Sequence, residues 1–431
     1  MDFLNVAVPL AKVALAFVVM LVAIRKRIAL PTCILGGSFV LALLFGLGPV
    51  SWGRAALSAL WEQELMSLAV IVGLILVLSD ILEQSGQGER LMRATSTLMR
   101  SHRLRLIFFP ALIGLLPMPG GALFSAPMVR SAAGELPVDA TRQAMLNYWF
   151  RHIWELTWPL YPVLILASAL TGMTIAELVA LTWPSLVMSL TLGWLFYLRP
   201  GVLPLPPSAG RGQTGPREFG KALRESLPIL TALVGALVLD QTLDSVVPGL
   251  PDQSGFILAL VLSIAVVAAQ NGWSPARVLR TVFQRRVAGM VWLVLTIFIF
   301  KQVVEAGGVV TQLSQAASGD AALFVVTLVL PLLVGLICGI SMAFVGTTFP
   351  LLLGLLEHMH VSPGVRTAYV VFGLMAGYTG VLASPLHACL LMTCDYFGVG
   401  LERGWKSILR PSAIFLAFAV AYFFVLRTWL A

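Results

Sequence analysis

The chain has 431 residues, 58% of them apolar and 11% charged, with a mean hydropathy of +0.92, whereas a soluble domain carries about 25% charged residues. This excludes a string of water-soluble domains and points to an all-α polytopic membrane protein. The formal charge of +8 comes from short basic clusters between apolar runs, the pattern that orients membrane loops, so no nucleic-acid partner is expected.

The first apolar run, 4–24, contains Lys12, is followed by Arg25, Lys26 and Arg27, and has no small-residue cleavage site before them; it is expected to stay as a transmembrane helix. Lys12 has no explanation in the pattern. With 29–49, 64–83, 145–170, 175–198, 228–247, 255–270, 289–306, 367–394 and 411–430 it makes ten expected crossings. Two further apolar stretches, about 105–129 and 321–356, carry Pro, Gly, Ser or Thr in mid-run. They are expected to be re-entrant helical hairpins, because non-helical backbone at membrane depth survives only inside protein or along a cavity.

This layout sends Arg25 to Arg27, the arginines of 90–105, Arg130, Arg142, those of 199–224 and 277–286, Arg403, Lys406 and Arg410 to one side. Only Arg54, Arg366 and Arg427 fall on the other. Turning either hairpin into a full crossing would collapse that bias, so the N-terminus is expected outside the cytoplasm, in a cell inner (plasma) membrane.

The polar, Pro- and Gly-rich stretch 199–227 reads as a cytoplasmic linker between halves 1–198 and 228–431. Each half then has five transmembrane helices plus one hairpin, and an odd number of crossings makes the halves inverted-topology repeats. Short internal matches agree with a duplication. LTWPLYPVLI at 156–165 matches LASPLHACLL at 382–391, LEQSG at 82–86 matches VEAGG at 304–308, and Pro184-Ser185 matches Pro411-Ser412.

The segments PMPGGALFSAP (117–127), NYWFRHIWELTWPLYP (147–162) and GYTGVLASPLHACLLMTCDYFG (377–398) resemble an uncharacterised prokaryotic family of integral membrane proteins. That family is grouped with the ion transporter superfamily, whose better-known members resemble gluconate, citrate and dicarboxylate permeases. The resemblance covers essentially the whole chain. It implies hairpin tips and broken helices around a central site, anion transport coupled to protons or sodium, and a homodimer. The second hairpin reads CGISMAFVGTTFP at 338–350 and lacks the Ser-Asn-Thr signature of the sodium-coupled dicarboxylate carriers, so sodium coupling is not carried over.

Broken helices at mid-depth expose backbone N–H groups where the positive end of the helix dipole can hold an anion. Gly120, Gly121 and Ser125 in the first hairpin, and Ser341, Thr347 and Thr348 in the second, are the candidates for solute binding, with Asn147, Thr379 and Ser384 on the helices that follow. Close small-residue packing of helices is the competing explanation. His152, Glu155 and His387 are the candidate proton-coupling groups, being ionisable residues inside apolar runs, with a neutral histidine hydrogen-bonded between helices as the alternative for His387. Arg151 and Glu155 are expected on one helical face at i,i+4, with a structural ion pair near the cytoplasmic mouth as the alternative. Lys301 and Glu305 are expected to pair in the same way.

Cys33, Cys338, Cys389 and Cys394 lack CxxC spacing and are expected to be buried thiols, with no metal and no cofactor. No HExxH, GxSxG or P-loop motif is present, so an enzyme is not expected. The expected function is secondary active transport of a small, anionic organic solute by alternating access. Protons are the preferred coupling ion and sodium the alternative. A lipid or polyprenyl-phosphate flippase is the main rival, ahead of a passive channel or an intramembrane enzyme.

Overall fold

The computed structural model describes residues 3–96, 101–115, 121–134, 136–203, 219–239, 242–243, 246, 253–316 and 319–431. Among the described residues all regular structure is helical. The first half contains α1 (Phe3–Arg25), α2 (Leu30–Leu44), α3 (Pro49–Ser58), α4 (Gln63–Gln84), α5 (Gln87–Ser96), α6 (His102–Gly114), α7 (Gly121–Ala133), α8 (Ala140–His152), α9 (Pro162–Thr171) and α10 (Ile175–Gly193). The second contains α11 (Phe219–Val234), α12 (Ser254–Gln270), α13 (Pro275–Val282), α14 (Arg285–Ala306), α15 (Val309–Ala316), α16 (Asp320–Cys338), α17 (Ser341–His358), α18 (Pro363–Leu382), α19 (Ala388–Phe397) and α20 (Leu401–Leu430).

Local chemistry sets many of these boundaries. Thr174 and Glu177 form a reciprocal capping box at the start of α10. Pro162 opens α9 and Pro363 opens α18, where a missing N–H costs nothing. Gly172, Gly339 and Gly398 close α9, α16 and α19 in the left-handed conformation.

Among the described residues, six helical stretches are long and apolar enough to cross a membrane: Gln63–Gln84, Ile175–Leu198, Arg285–Ala306, Asp320–Cys338, Pro363–Leu382 and Leu401–Leu430. Length alone thus marks fewer spans than the ten expected. The apolar runs 145–170 and 367–394 are each split into two helices, and α2 is only 15 residues long.

Cross-links show which segments share an end of the bundle. Arg90 pairs with Glu225 at 3.1 Å, Gln87 with Gln270 at 2.6 Å, and Arg130 donates to the Tyr396 carbonyl at 2.9 Å. Arg103 donates to the Leu198 carbonyl. At the far end of α4, Lys301 meets Glu62 at 2.9 Å and Arg427 meets Asp320. So α6 begins and α7 finishes at the basic end, with α6 and α7 packed side by side, while α16 begins at the other end and packs on α17. The expected Lys301–Glu305 partnership is replaced by Lys301–Glu62, and Asp80 pairs across helices with Arg286 at 2.7 Å. Both salt bridges tie α4 or its approach to α14.

Helices α1–α5 pack chiefly with α11–α15, and α6–α10 with α16–α20; α9 and α17 join the two sets through α4, α14 and α15. Helices α16 and α18 approach each other backbone to backbone. A Cβ at Gly335 would meet the Gly377 carbonyl, and one at Gly380 would meet the Leu332 carbonyl. Backbones in contact through glycine gain dispersion and exclude lipid, and here they carry the end of α16 to the break that follows α18.

Candidate functional site

The site is built at two interruptions. Helix α8 stops at His152 and α9 starts at Pro162; α18 stops at Leu382 and α19 starts at Ala388. Pro159 and Pro385 sit in the two breaks, where a ring without an N–H cannot continue the helical ladder. The backbone then follows the same path in both. Tyr161 N donates to Trp158 O at 2.9 Å and His387 N to Ser384 O at 3.3 Å; Leu164 N donates to Tyr161 O and Leu390 N to His387 O, each at 3.0 Å. The short match between LTWPLYPVLI and LASPLHACLL therefore marks a shared conformation.

Side chains from both halves converge at these breaks. His152 Nε2 and His387 Nε2 are 3.0 Å apart, and His152 Nδ1 lies 2.7 Å from the Tyr148 carbonyl. A carbonyl only accepts, so Nδ1 of His152 carries hydrogen and its Nε2, when neutral, accepts from His387 Nε2–H. Arg151 Nη1 donates to Cys389 Sγ at 3.3 Å, and its guanidinium lies against Gly121, the first residue of α7. Ser341, the first residue of α17, donates to Glu155 Oε2 at 3.0 Å. Asn147 Nδ2 donates to the Ala122 carbonyl at 3.0 Å and to Thr393 Oγ1 at 3.1 Å. None of Asn147, Arg151, His152, Glu155 and His387 is more than 7% exposed.

Ionisable groups so deep are costly unless they are paired with one another, and such clusters are characteristically functional. Here one guanidinium, one carboxylate and two imidazoles share a site with the starts of α7, α17 and α19, whose N–H groups favour negative charge.

Of the residues singled out from sequence, Gly121, Asn147, His152, Glu155, Ser341, Ser384 and His387 belong to this neighbourhood. Ser384 Oγ accepts from Leu386 N at 3.1 Å inside the break. Thr347, Thr348 and Thr379 spend their hydroxyls on carbonyls one turn back, at 2.7, 2.6 and 2.8 Å, and Ser125 bonds to Gly121 and Ala122 carbonyls at 3.3 Å. Gly120 lies outside the described residues. The i,i+4 relation of Arg151 to Glu155 does not hold, because α8 ends at His152 and Glu155 lies in the turns that follow. Arg151 and His152 are buried, at 5% and 1% exposure.

Tyr148 carries no sequence signal of its role, and the Cys389 thiol, buried as expected, has neighbours that the sequence does not announce. The Cys389 thiol and the two imidazoles offer ligand atoms all within 4.8 Å of one another, so the thiol does have histidine neighbours. His387-Ala388-Cys389 was the available signal; His152 comes from the other half and gave none. A soft metal ion fits the donor types, but the Arg151 guanidinium already faces the sulfur and repels a cation there.

No curated protein matches the chain. A family defined by sequence, described as Protein of unknown function (DUF401), matches residues 9–426, and the chain belongs to that family.

Proposed function

We propose that the protein is a secondary active transporter that moves a small anionic organic solute by alternating access, with protons as the coupling ion. The carrying observation is the buried cluster of Arg151, His152, Glu155 and His387, drawn from both halves and set among helix starts. Arg151 and the helix N-termini supply the attraction for an anion. His152, His387 and Glu155 supply groups that change charge by taking up a proton.

Two inverted repeats, each of five crossings and one re-entrant hairpin, are part of this proposal. Its support is the equal backbone path at the two breaks and the entry of α6–α7 and α16–α17 from opposite ends. The same scheme places the basic end in the cytoplasm of a cell inner membrane, the N-terminus outside, and a second copy of the chain as partner. A site shared by two such repeats can be opened to either side by moving one set of helices against the other.

The test is uptake into proteoliposomes under an imposed proton gradient, with and without sodium, against carboxylates, sugar acids and phosphorylated compounds. Saturable uptake of an anion that collapses with the gradient is expected. Uptake of cations only would overturn the reading, and lipid scrambling without solute uptake would replace it with a flippase.

A further inference from the structure

We propose that a cleft at the basic end, between the start of α8, the end of α10 and the first turns of α20, binds a phosphate-bearing anion. Its cavity is about 730 Å³ and lies apart from the buried cluster. Arg142 enters from α8, while Arg403, Lys406 and Arg410 enter from α20, where their 3- and 4-residue spacing puts them on one face. Tyr197 holds the two walls together through a 3.1 Å bond to the Ser407 carbonyl.

The cations are only partly neutralised. Arg142 has Asp139 at 3.8 Å and Lys406 has Glu402 at 2.6 Å, and among the described residues Arg403 and Arg410 have no ion-pair partner. Two arginines beyond local balance, facing a concavity, suit a phosphate, whose oxygens match the guanidinium fork. An orientation bias needs basic residues somewhere on this side; it does not need four of them to face one cavity.

The other end of the molecule offers a comparison. There the starts of α10 and α18 frame a cavity of about 290 Å³ whose charged lining is Glu177 and Arg366 alone. Clefts at helix starts thus form without a surplus of cations. The basic cleft also has an apolar wall of Met145, Phe196 and Val202. Beyond it Trp194 and Ile414 stand 51% and 42% exposed, so apolar surface continues along α20 and the end of α10. A lipid phosphate whose chains follow that surface and a soluble phosphate compound share the required headgroup chemistry.

The purified full chain is incubated with phosphatidylglycerol or phosphatidylcholine, and retained lipid is read by native mass spectrometry. Arg403→Ala/Arg410→Ala is compared with Arg280→Ala/Arg285→Ala, which removes the same charge from the same end. Phosphatidylglycerol is expected to be retained about tenfold better, with the preference lost in the first variant and kept in the second. Displacement by millimolar inorganic phosphate identifies a soluble phosphate as the ligand, and resistance to displacement identifies the lipid. Equal loss in both variants, or equal retention of the two lipids without phosphate binding, overturns the proposal.

Discussion

The Tyr378 hydroxyl donates to the carbonyl of His152 at 2.8 Å, closing the last turn of α8 from the opposite half of the chain. Tyr148 on α8 returns the arrangement, donating to the carbonyl of Leu382, the last residue of α18, at 2.9 Å. The final carbonyls of a helix have no partner within it, and in a water-free interior each one left bare is costly. The two tyrosines therefore permit both helices to stop at the same depth, and they bind the two breaks to each other.

Removing either hydroxyl should be felt as stability. Tyr148→Phe is expected to cost about 1–2 kcal/mol, since the buried Leu382 carbonyl loses its donor with no change in packing, and Tyr378→Phe less, since the His152 carbonyl still accepts from Glu155 N at 3.2 Å. Thermal unfolding in detergent measures this as a lowered midpoint for each single variant and a lower one for the pair. Unchanged midpoints in both would show that the reciprocal bonds do not hold the breaks.

The imidazole pair should separate binding from coupling. In His387→Gln the amide can still donate to His152 Nε2, but it cannot take up a proton. Gradient-driven accumulation is expected to fall by about tenfold, a loss of 1.4 kcal/mol of driving interaction. Solute counterflow, which needs no net proton movement, should persist. Equal loss of both activities would make His387 a binding or structural group.

Much of the helical layout was legible because long apolar runs and proline- and glycine-broken ones leave different signatures. The break at 339–340 was visible in this way. The length of α8 was not. The run 145–170 carries no proline or glycine before Pro159, and the hydroxyl that reaches the His152 carbonyl at the end of α8 comes from Tyr378, 226 residues away. For the same reason His152 and His387 were named separately, without a sign that their rings touch. The meeting of the buried Cys389 thiol with Arg151 was not legible, because the two are 238 residues apart in sequence. Lys12 proves to lie over the Phe45 ring at 5.0 Å, a cation–π contact that the first apolar run could not announce.

Gly339 is the position where a methyl group should do most harm. Its φ of +63° is in the left-handed region, and an added Cβ would stand 2.9 Å from both the N and Cα atoms of His387. The conformation alone costs a non-glycine residue about 1–2 kcal/mol, and the backbone of the break cannot give way as a flexible side chain can. Gly339→Ala is expected to lower the unfolding midpoint and abolish uptake. Gly121→Ala presses only on the end of the Arg151 side chain, so it should fold with a near-normal midpoint and lose solute affinity. Normal uptake by Gly339→Ala would show that the contact between hairpin and break is dispensable.

Cys389 provides a chemical handle on the same cluster. Its sulfur accepts from the Arg151 guanidinium at 3.3 Å, while Cys33, Cys338 and Cys394 are also free thiols but have no arginine donor among the described residues. The sulfur touches the guanidinium at the centre of the cluster, so a group attached to it would block the site. A small, membrane-permeant methanethiosulfonate should therefore inhibit uptake by the wild-type chain, and Cys389→Ser should be resistant while keeping most of its activity. Because the thiol is 8% exposed, reaction requires the site to open, so its rate should rise under conditions that drive turnover and fall when transported solute is present in excess. Inhibition that persists unchanged in Cys389→Ser would place the sensitive thiol elsewhere. A rate indifferent to solute would separate the Cys389 neighbourhood from the transport path.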